Sequence, residues 1–424
     1  MNIVLIYRMI HAAFALITLF FITTFLTPIE QGWYYAFLSF AALIHLFDFG
    51  LSSALVHIGA IEFSSFKWGV KGNVDNDSSN IYQNLINIAF HKYLILGFWF
   101  FISIFPFGIL YFSENPTSEQ FQWLIPWFIL CLSSLLYLLC FPFLSLIEGS
   151  GNIIEIYYVK IIQLVFGSIF CWLFIYHNHP LYASSMMFLF IALISFFWIL
   201  IFRPKNIPKK ILIKKEFNWH KISNFKNKVG FTYLGLYLFT QIYTPILFYL
   251  KDPSIAGKYG LTLAIANMLG LLSGSWMAFN IPKMTKAVTN KNLDIFFVIF
   301  KNSFFQSTTF LLVSIFITIF IYTIIDGFYL TDRLLGFFDF TGVLFIILMT
   351  HIITSFVVFF RCFKSEPLVF WHIFLTIITL LLGIIIIVNF SITYLIICIL
   401  FSQVFLFLPI SFSKWHNFKK NLAK

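Results

Sequence analysis

His45 and Asp48 lie one helical turn apart inside an otherwise apolar run, YYAFLSFAALIHLFDFGLSSALV. An acid in such a run is costly against lipid, so it should face a protein interior or a water-filled cavity. There it has two possible jobs: it takes up a proton or Na⁺, or it ties its helix to a neighbour by hydrogen bonds. Helical spacing adds Tyr34, Ala41 and Ser52 to the same face. A second polar face runs through Tyr233, Tyr237, Thr240, Gln241 and Thr244. Aromatic rings and hydroxyls suit sugar rings, which offer apolar C–H faces and many hydroxyls. The same residue types also pack helix against helix.

Cations beside the apolar runs are few: Arg8, Lys92, Lys160, Lys301 and Arg361. Long basic side chains at such places anchor helix ends by snorkelling. Arg8, with His11 on the same face, is the best placed of them to meet a phosphate. His351 and Thr354 mark an inward face of a later run. His177-Asn178-His179 offers only two ligands, too few for a zinc site. Asp75-x-Asp77 lies in a polar loop, GVKGNVDNDSSN, with no catalytic domain around it. Cys131, Cys140, Cys171, Cys362 and Cys398 all sit in apolar runs with no Cys-x-x-Cys pair, so they read as small hydrophobes. No metal site and no cofactor is expected. Phosphate loops, Gly-x-Ser-x-Gly, His-Glu-x-x-His and dinucleotide fingerprints do not occur. With no ATP site, any transport would draw on an ion gradient, the membrane potential or substrate flux.

The elements that position these residues are membrane helices. Of 424 residues, 60% are hydrophobic and 10% charged, and 60 are Phe. A soluble domain cannot cover so much apolar surface. Twelve runs are long enough to span: 8–26, 32–60, 84–112, 121–147, 156–176, 183–202, 228–250, 258–281, 295–325, 337–361, 367–389 and 391–413. The first is followed by Pro28 and Glu30 with no small-residue cleavage site, so it is expected to be retained. Pro106, Pro126, Pro142 and Pro245 interrupt runs and permit kinks. With a cytoplasmic N-terminus, all but three of the 27 basic residues fall on the cytoplasmic side; the exceptions are Lys251, Lys258 and Arg333. That asymmetry places both termini inside and explains the net charge of +11 without nucleic acid. The basic stretch 203–227 should link an N-terminal six-helix bundle, 1–202, to a C-terminal one, 228–424, along the anionic inner leaflet.

The two halves share a pattern. Pro28, Gly32 and Tyr34 match Pro253, Gly257 and Tyr259 at a constant offset of 225 positions, each set following one apolar run and opening another. Tight turns between helices often contain Pro and Gly, but internal repeats are also the usual build of secondary transporters.

These motifs carry a resemblance. The opening Leu26-Thr27-Pro28-x-Glu30-Gln31-Gly32-x-Tyr34-Tyr35, with Asp48-x-Gly50-Leu51 and Ile147-Glu148-Gly149, resembles the first half of bacterial polysaccharide or O-antigen flippases. Asp252-Pro253, Gly257-Lys258-Tyr259-Gly260-Leu261-Thr262-Leu263, Trp276, Pro282-Lys283-Met284 and Arg361-Cys-Phe-Lys-Ser-Glu366-Pro367 look like the second half. The resemblance implies the multidrug/oligosaccharidyl-lipid/polysaccharide exporter superfamily and an all-α polytopic membrane protein. It implies about twelve helices in two pseudo-repeated six-helix bundles around a central cavity. It further implies a flippase in the bacterial cytoplasmic membrane, moving an undecaprenyl-pyrophosphate-linked oligosaccharide to the outer leaflet. Its partners would be that lipid-linked glycan, membrane lipids, an H⁺ or Na⁺ counter-ion and a glycan polymerase. The implied cavity would hold Asp48, His45, Arg8, His11, Tyr233, Tyr237, Thr240, Gln241, Thr244 and His351. Relatives line that cavity with cations, whereas cations here are few at mid-membrane depth. The alternatives are an ion-coupled drug or metabolite antiporter of the same superfamily, and a membrane glycan polymerase or acyltransferase. The short outer loops speak against the enzymes.

Overall fold

A computed structural model describes residues 3–62, 76–203, 220–363 except 326, 328 and 329, and 365–422. Among them every regular element is a helix. The chain begins with α1 (Ile3–Phe25), α2 (Pro28–Ala41), α3 (Ile44–Asp48), α4 (Leu51–Glu62) and α5 (Asn76–Ser113). It continues with α6 (Leu124–Gly149), α7 (Ile153–Tyr176), α8 (Pro180–Phe202), α9 (His220–Thr240) and α10 (Tyr243–Leu250). Then come α11 (Pro253–Thr289), α12 (Leu293–Ile324), α13 (Phe337–Cys362), α14 (Val369–Asn389), α15 (Ile392–Ser402) and α16 (Leu408–Leu422). A π-helical turn at Gln403–Phe407 joins the last two.

Among the described residues nine of these helices, and α15 with α16 taken together through the π turn, are long and apolar enough to cross a membrane; that makes ten spans, or eleven if the bent pair Pro28–Asp48 and Leu51–Ala60 counts as one. Two of the twelve expected runs are therefore corrected. The run 32–60 is three helices rather than one, bent by 51° at its last break. The run 228–250 is two helices, α9 and α10, parted at Gln241 and Ile242. Neither of these runs has a proline at its breaks. α9 also starts at His220, inside the stretch expected to be linker, while 204–219 and the polar loop 63–75 lie outside the described residues.

Helix starts follow local chemistry. Pro28, Pro180 and Pro253 occupy first turns, where a missing N–H costs nothing. Thr27 and Glu30 form a reciprocal capping box: Thr27 N donates to Glu30 Oε2 at 2.8 Å and Glu30 N to Thr27 Oγ1 at 3.3 Å. Asp252 caps α11 by accepting from Ser254 N at 2.6 Å.

The chain divides into two compact units. One comprises 16–26 and 36–237. Within it α6 is the central helix, flanked by α4, α5 and α8, and α7 lies along α8. Its core runs through Leu55, Tyr82, Ile86, Tyr93, Phe100, Leu138, Leu146 and Ile147. α4 and α6 approach closely because Gly149 has no side chain; a Cβ there would come within 2.3 Å of Val56 O. The other unit comprises 1–15, 27–35 and 238–424. α11 packs along α10, α12 and α13, and α15 along α13 and α14. At one end Phe296, Phe300, Phe359 and Phe360 form an aromatic cluster, against which Trp415 and Phe418 of α16 pack.

The repeat suggested by three residues extends to the elements. A 3₁₀ turn, Ser118–Gln120, precedes α6, and another, Thr331–Arg333, precedes α13. α6 and α13 are both 26 residues long. Pro28 and Pro253 both open helices, α2 and α11.

Candidate functional site

The first group is built on the broken helix. After α2, Leu43 N bonds Phe40 O, His45 N bonds Ala42 O and Leu46 N bonds Leu43 O. These i→i+3 bonds tighten the backbone away from the α-helix. α3 then ends at Phe49, which has φ 44° and ψ 44°, and Gly50 follows at φ 74°. Left-handed backbone is unfavourable for a phenylalanine by about 1–2 kcal/mol, so neighbouring structure must hold it there. α9 does so. A Cβ on Gly230 would lie 2.6 Å from Phe49 Cδ1, so only glycine leaves room for the ring. Phe231 stands edge-on to Phe49, and Lys226 Nζ lies 5.7 Å from the Phe49 centroid.

Asp48 sits at this break and is 2% exposed. It accepts from Tyr93 of α5 at 2.5 Å, from Ser52 Oγ at 2.7 Å and from Ser52 N at 3.0 Å. The carboxylate thus caps the first turn of α4 and joins it to α5. His45 lies beside the break, with its ring 6.1 Å from that of Phe141. The expected single face from Tyr34 to Ser52 is therefore corrected: two breaks redirect it, and its residues lie on three helices.

The Tyr233–Thr244 face is likewise not one helical stripe, because α9 ends at Thr240. Tyr233 OH is 3.0 Å from Ser53 Oγ of α4, and Tyr237 OH donates to Ser39 O at 3.1 Å. Thr240 and Thr244 are buried and Gln241 is half-buried at the break.

The second group lies in the unit that contains most of the C-terminal half. Arg8 Nη1 donates to Ser275 Oγ of α11 at 3.2 Å. His11 is half-buried, its ring 5.9 Å from Tyr7. His351 of α13 sits between two serines, with Nδ1 3.4 Å from Ser273 Oγ and Nε2 3.0 Å from Ser307 Oγ. It joins α11, α12 and α13.

Four polar residues have bonding roles that the sequence does not announce; Gln31 stood only in a turn motif and Arg203 only at the start of the expected linker. Tyr93 was hidden among the aromatics of an apolar run. Gln31 is buried and donates through Nε2 to Gly257 O at 2.8 Å and to Arg333 O at 3.2 Å. Gln403 opens the π turn and donates to Thr350 Oγ1 at 2.8 Å. Arg203, buried at the end of α8, pairs with Glu155 of α7. The available signal was an uncharged amide, or a cation, next to an apolar run, which helix ends also produce. His177 and His179 line a shallow pocket with Phe170, Leu173 and Phe174. No group of three or more potential metal ligands occurs among the described residues.

No family model matches the sequence. No curated protein matches it either. Solved structures do match in fold. An inward-facing multidrug resistance MATE family transporter of the MOP superfamily aligns with TM-score 0.63 at 10% identity, over 95% of this chain and 99% of that one. An outward-facing one aligns with TM-score 0.60 at 13% identity, over 99% and 96%. A MOP superfamily transporter from Pyrococcus furiosus, described as having a binding pocket of reverse polarity, aligns with TM-score 0.58 at 12% identity, over 99% and 95%. The chain thus has, along nearly its whole length, the all-helical fold of MATE transporters of the MOP superfamily.

Proposed function

We propose that this protein is an alternating-access flippase for an undecaprenyl-pyrophosphate-linked oligosaccharide, such as an O-antigen or capsule repeat unit. The observation that carries the reading is the full-length fold shared with MOP transporters, combined with flippase-like motifs in both halves. In this reading the protein lies in a bacterial cytoplasmic membrane with both termini inside, and the basic stretch between α8 and α9 tethers an N-terminal half to a C-terminal one. The charge asymmetry supports that orientation.

The lipid tail stays in the bilayer while the halves pass the headgroup across. Arg8, presented beside Ser275, is the cation best placed for the pyrophosphate. A guanidinium suits phosphate oxygens because its planar donors pair with them two at a time. His11, beside it, is a weaker candidate. Tyr233, Tyr237, Thr240, Gln241 and Thr244 are the sugar-facing candidates, with His45, Asp48 and His351 available for ion coupling.

A second reading is favoured by Asp48. A buried carboxylate on a broken helix suits an antiporter that exchanges a small cationic solute for H⁺ or Na⁺. One experiment separates the two. The purified protein in vesicles is given fluorescent lipid-linked glycan from its native host, and movement between leaflets is measured. Translocation supports the flippase. No translocation, together with gradient-driven export of organic cations that Asp48→Asn abolishes, would replace it with the antiporter.

A further inference from the structure

At one end of the unit that contains most of the C-terminal half, four helices gather on one hydrophobic cluster. Met284 of α11, Phe296 of α12 and Phe359 of α13 belong to it, and Trp415 and Phe418 of α16 pack on it. Beyond Pro409 the covered residues of α16 include Ser411, Trp415, Phe418 and Leu422, a helical spacing, so this helix is amphipathic.

What this end presents outward is positive. Lys283 and Lys286 of α11, Lys291 at the α11–α12 turn, and Lys414, Lys419 and Lys420 of α16 are all exposed. Among the described residues none of the six is in a salt bridge. The acids at this end are Asp294, in the first turn of α12, and Glu366, which pairs with Arg361 at 2.7 Å. Lys419 Nζ lies 5.3 Å from the Phe297 ring and 5.4 Å from the Trp415 ring, and Lys283 Nζ lies 4.8 Å from the Phe279 ring. A ring steadies an ammonium without neutralising it, so the charge stays available to an anion.

The depth of these lysines follows from their neighbours. On three helices exposed apolar residues give way to lysine within about one turn: Ile281 to Lys283, Ile295 back to Lys291, and Phe412 to Lys414. Exposed apolar surface on a spanning helix meets acyl chains, so the lysines just beyond it lie at the level of lipid phosphates. Lys291 adds a separate observation. α11 ends with Lys291 N on Val288 O and Asn292 N on Ala287 O, and Lys291 has φ 55°. Glycine or asparagine ordinarily takes that position after a helix. Left-handed backbone is unfavourable for lysine, so the turn itself does not account for the residue.

We propose that this end of the unit is a binding surface for anionic phospholipid, whose phosphate is held between α16 and the α11–α12 turn. The lysines supply the charge, while Ile281, Ile295 and Phe412 meet the acyl chains. The bound lipid fastens α16 to α12. The assignment is independent of what the protein transports.

The test titrates the purified protein in detergent with phosphatidylglycerol or phosphatidylcholine of matched chains, and native mass spectrometry reads the bound lipid. The wild type should bind phosphatidylglycerol more tightly. A lysine near a lipid surface contributes roughly fivefold in affinity, so Lys419→Gln with Lys420→Gln should weaken phosphatidylglycerol about 25-fold and leave phosphatidylcholine unchanged. Lys419→Arg with Lys420→Arg should keep the preference. Lys291→Gly relieves the left-handed backbone, so it should hold or raise the thermal midpoint while weakening phosphatidylglycerol about fivefold. Lys251→Gln with Lys258→Gln removes equal charge near the start of α11 and should change neither lipid. Equal binding of the two lipids by the wild type, or equal weakening by the two glutamine pairs, would overturn the proposal. So would displacement of the lipid by free glycerol phosphate, which would make the surface a site for soluble anions.

Discussion

Tyr93 donates its hydroxyl to Asp48 Oδ1 at 2.5 Å and so ties α5 to the break between α3 and α4. Both groups are buried. Removing the donor by Tyr93→Phe leaves shape intact and a carboxylate short of one partner. A buried acceptor that loses a charged hydrogen bond costs about 1–3 kcal/mol. Tyr93→Phe should therefore lower the thermal midpoint in detergent. Ser52→Ala should cost less, because Ser52 N still donates to Asp48. Equal midpoints for wild type and Tyr93→Phe would show that this bond does not hold the break.

His351 offers a comparison of size against polarity. Its two serine partners are each also bonded to their own helix, Ser273 to Gly270 O and Ser307 to Phe304 O. Loss of the imidazole therefore strands no hydroxyl completely. His351→Leu keeps most of the volume and should cost about 1 kcal/mol, one modest hydrogen bond. His351→Ala opens a cavity where three helices meet and should cost about 2–4 kcal/mol. Denaturation of the two variants side by side checks the order. A reversed order would mean that the hydrogen bonds dominate the packing.

The helical class was legible in the apolar runs, and ten of the twelve expected segments are unbroken single helices or nearly so. The breaks inside the other two were not legible. Nothing in SFAALIHLFDFGL marks a left-handed phenylalanine, because Phe49 adopts it only against the notch at Gly230, far along the chain. The break at Gln241 similarly lies between residues with ordinary helix propensities. Periodicity reads one helix at a time and cannot see a distant glycine that makes room. Asp48 was legible as a buried acid, but its donors were not. Tyr93 is one aromatic among many, and Ser52 gained its role from the turn that precedes it. The repeated Pro-x3-Gly pattern was visible, while the contact of its two copies through Gly32 and Gly257 was not.

Arg203 and Glu155 form an ion pair at the ends of α8 and α7, and Asn152 also bonds Glu155. The arginine side chain is 5% exposed and the glutamate 28%. Breaking a fully buried pair costs about 3–5 kcal/mol because a charge is left without a partner. The partial exposure of Glu155 lets water replace some of that, so Glu155→Gln should cost less, about 1–2 kcal/mol. The double variant Glu155→Gln, Arg203→Met should recover part of the loss. A double-mutant cycle on thermal unfolding measures it, and strict additivity would show that the pair contributes no coupling.

Asp48→Asn separates the two jobs of the acid. The amide keeps the size and one acceptor oxygen for Tyr93 and Ser52 N, while Ser52 Oγ can turn to accept from the new NH₂. The fold should survive with a loss of about 1 kcal/mol or less. Asp48→Leu removes every acceptor and should cost more. If Asp48 takes up an ion during transport, the asparagine variant keeps its thermal midpoint but loses the dependence of substrate movement on an imposed H⁺ or Na⁺ gradient. That is the expected outcome, measured in proteoliposomes with each gradient applied in turn. Retained gradient dependence with an unchanged midpoint would leave Asp48 as a helix cap and a tie to α5, and would move the search for the coupling group to His351 and its two serines.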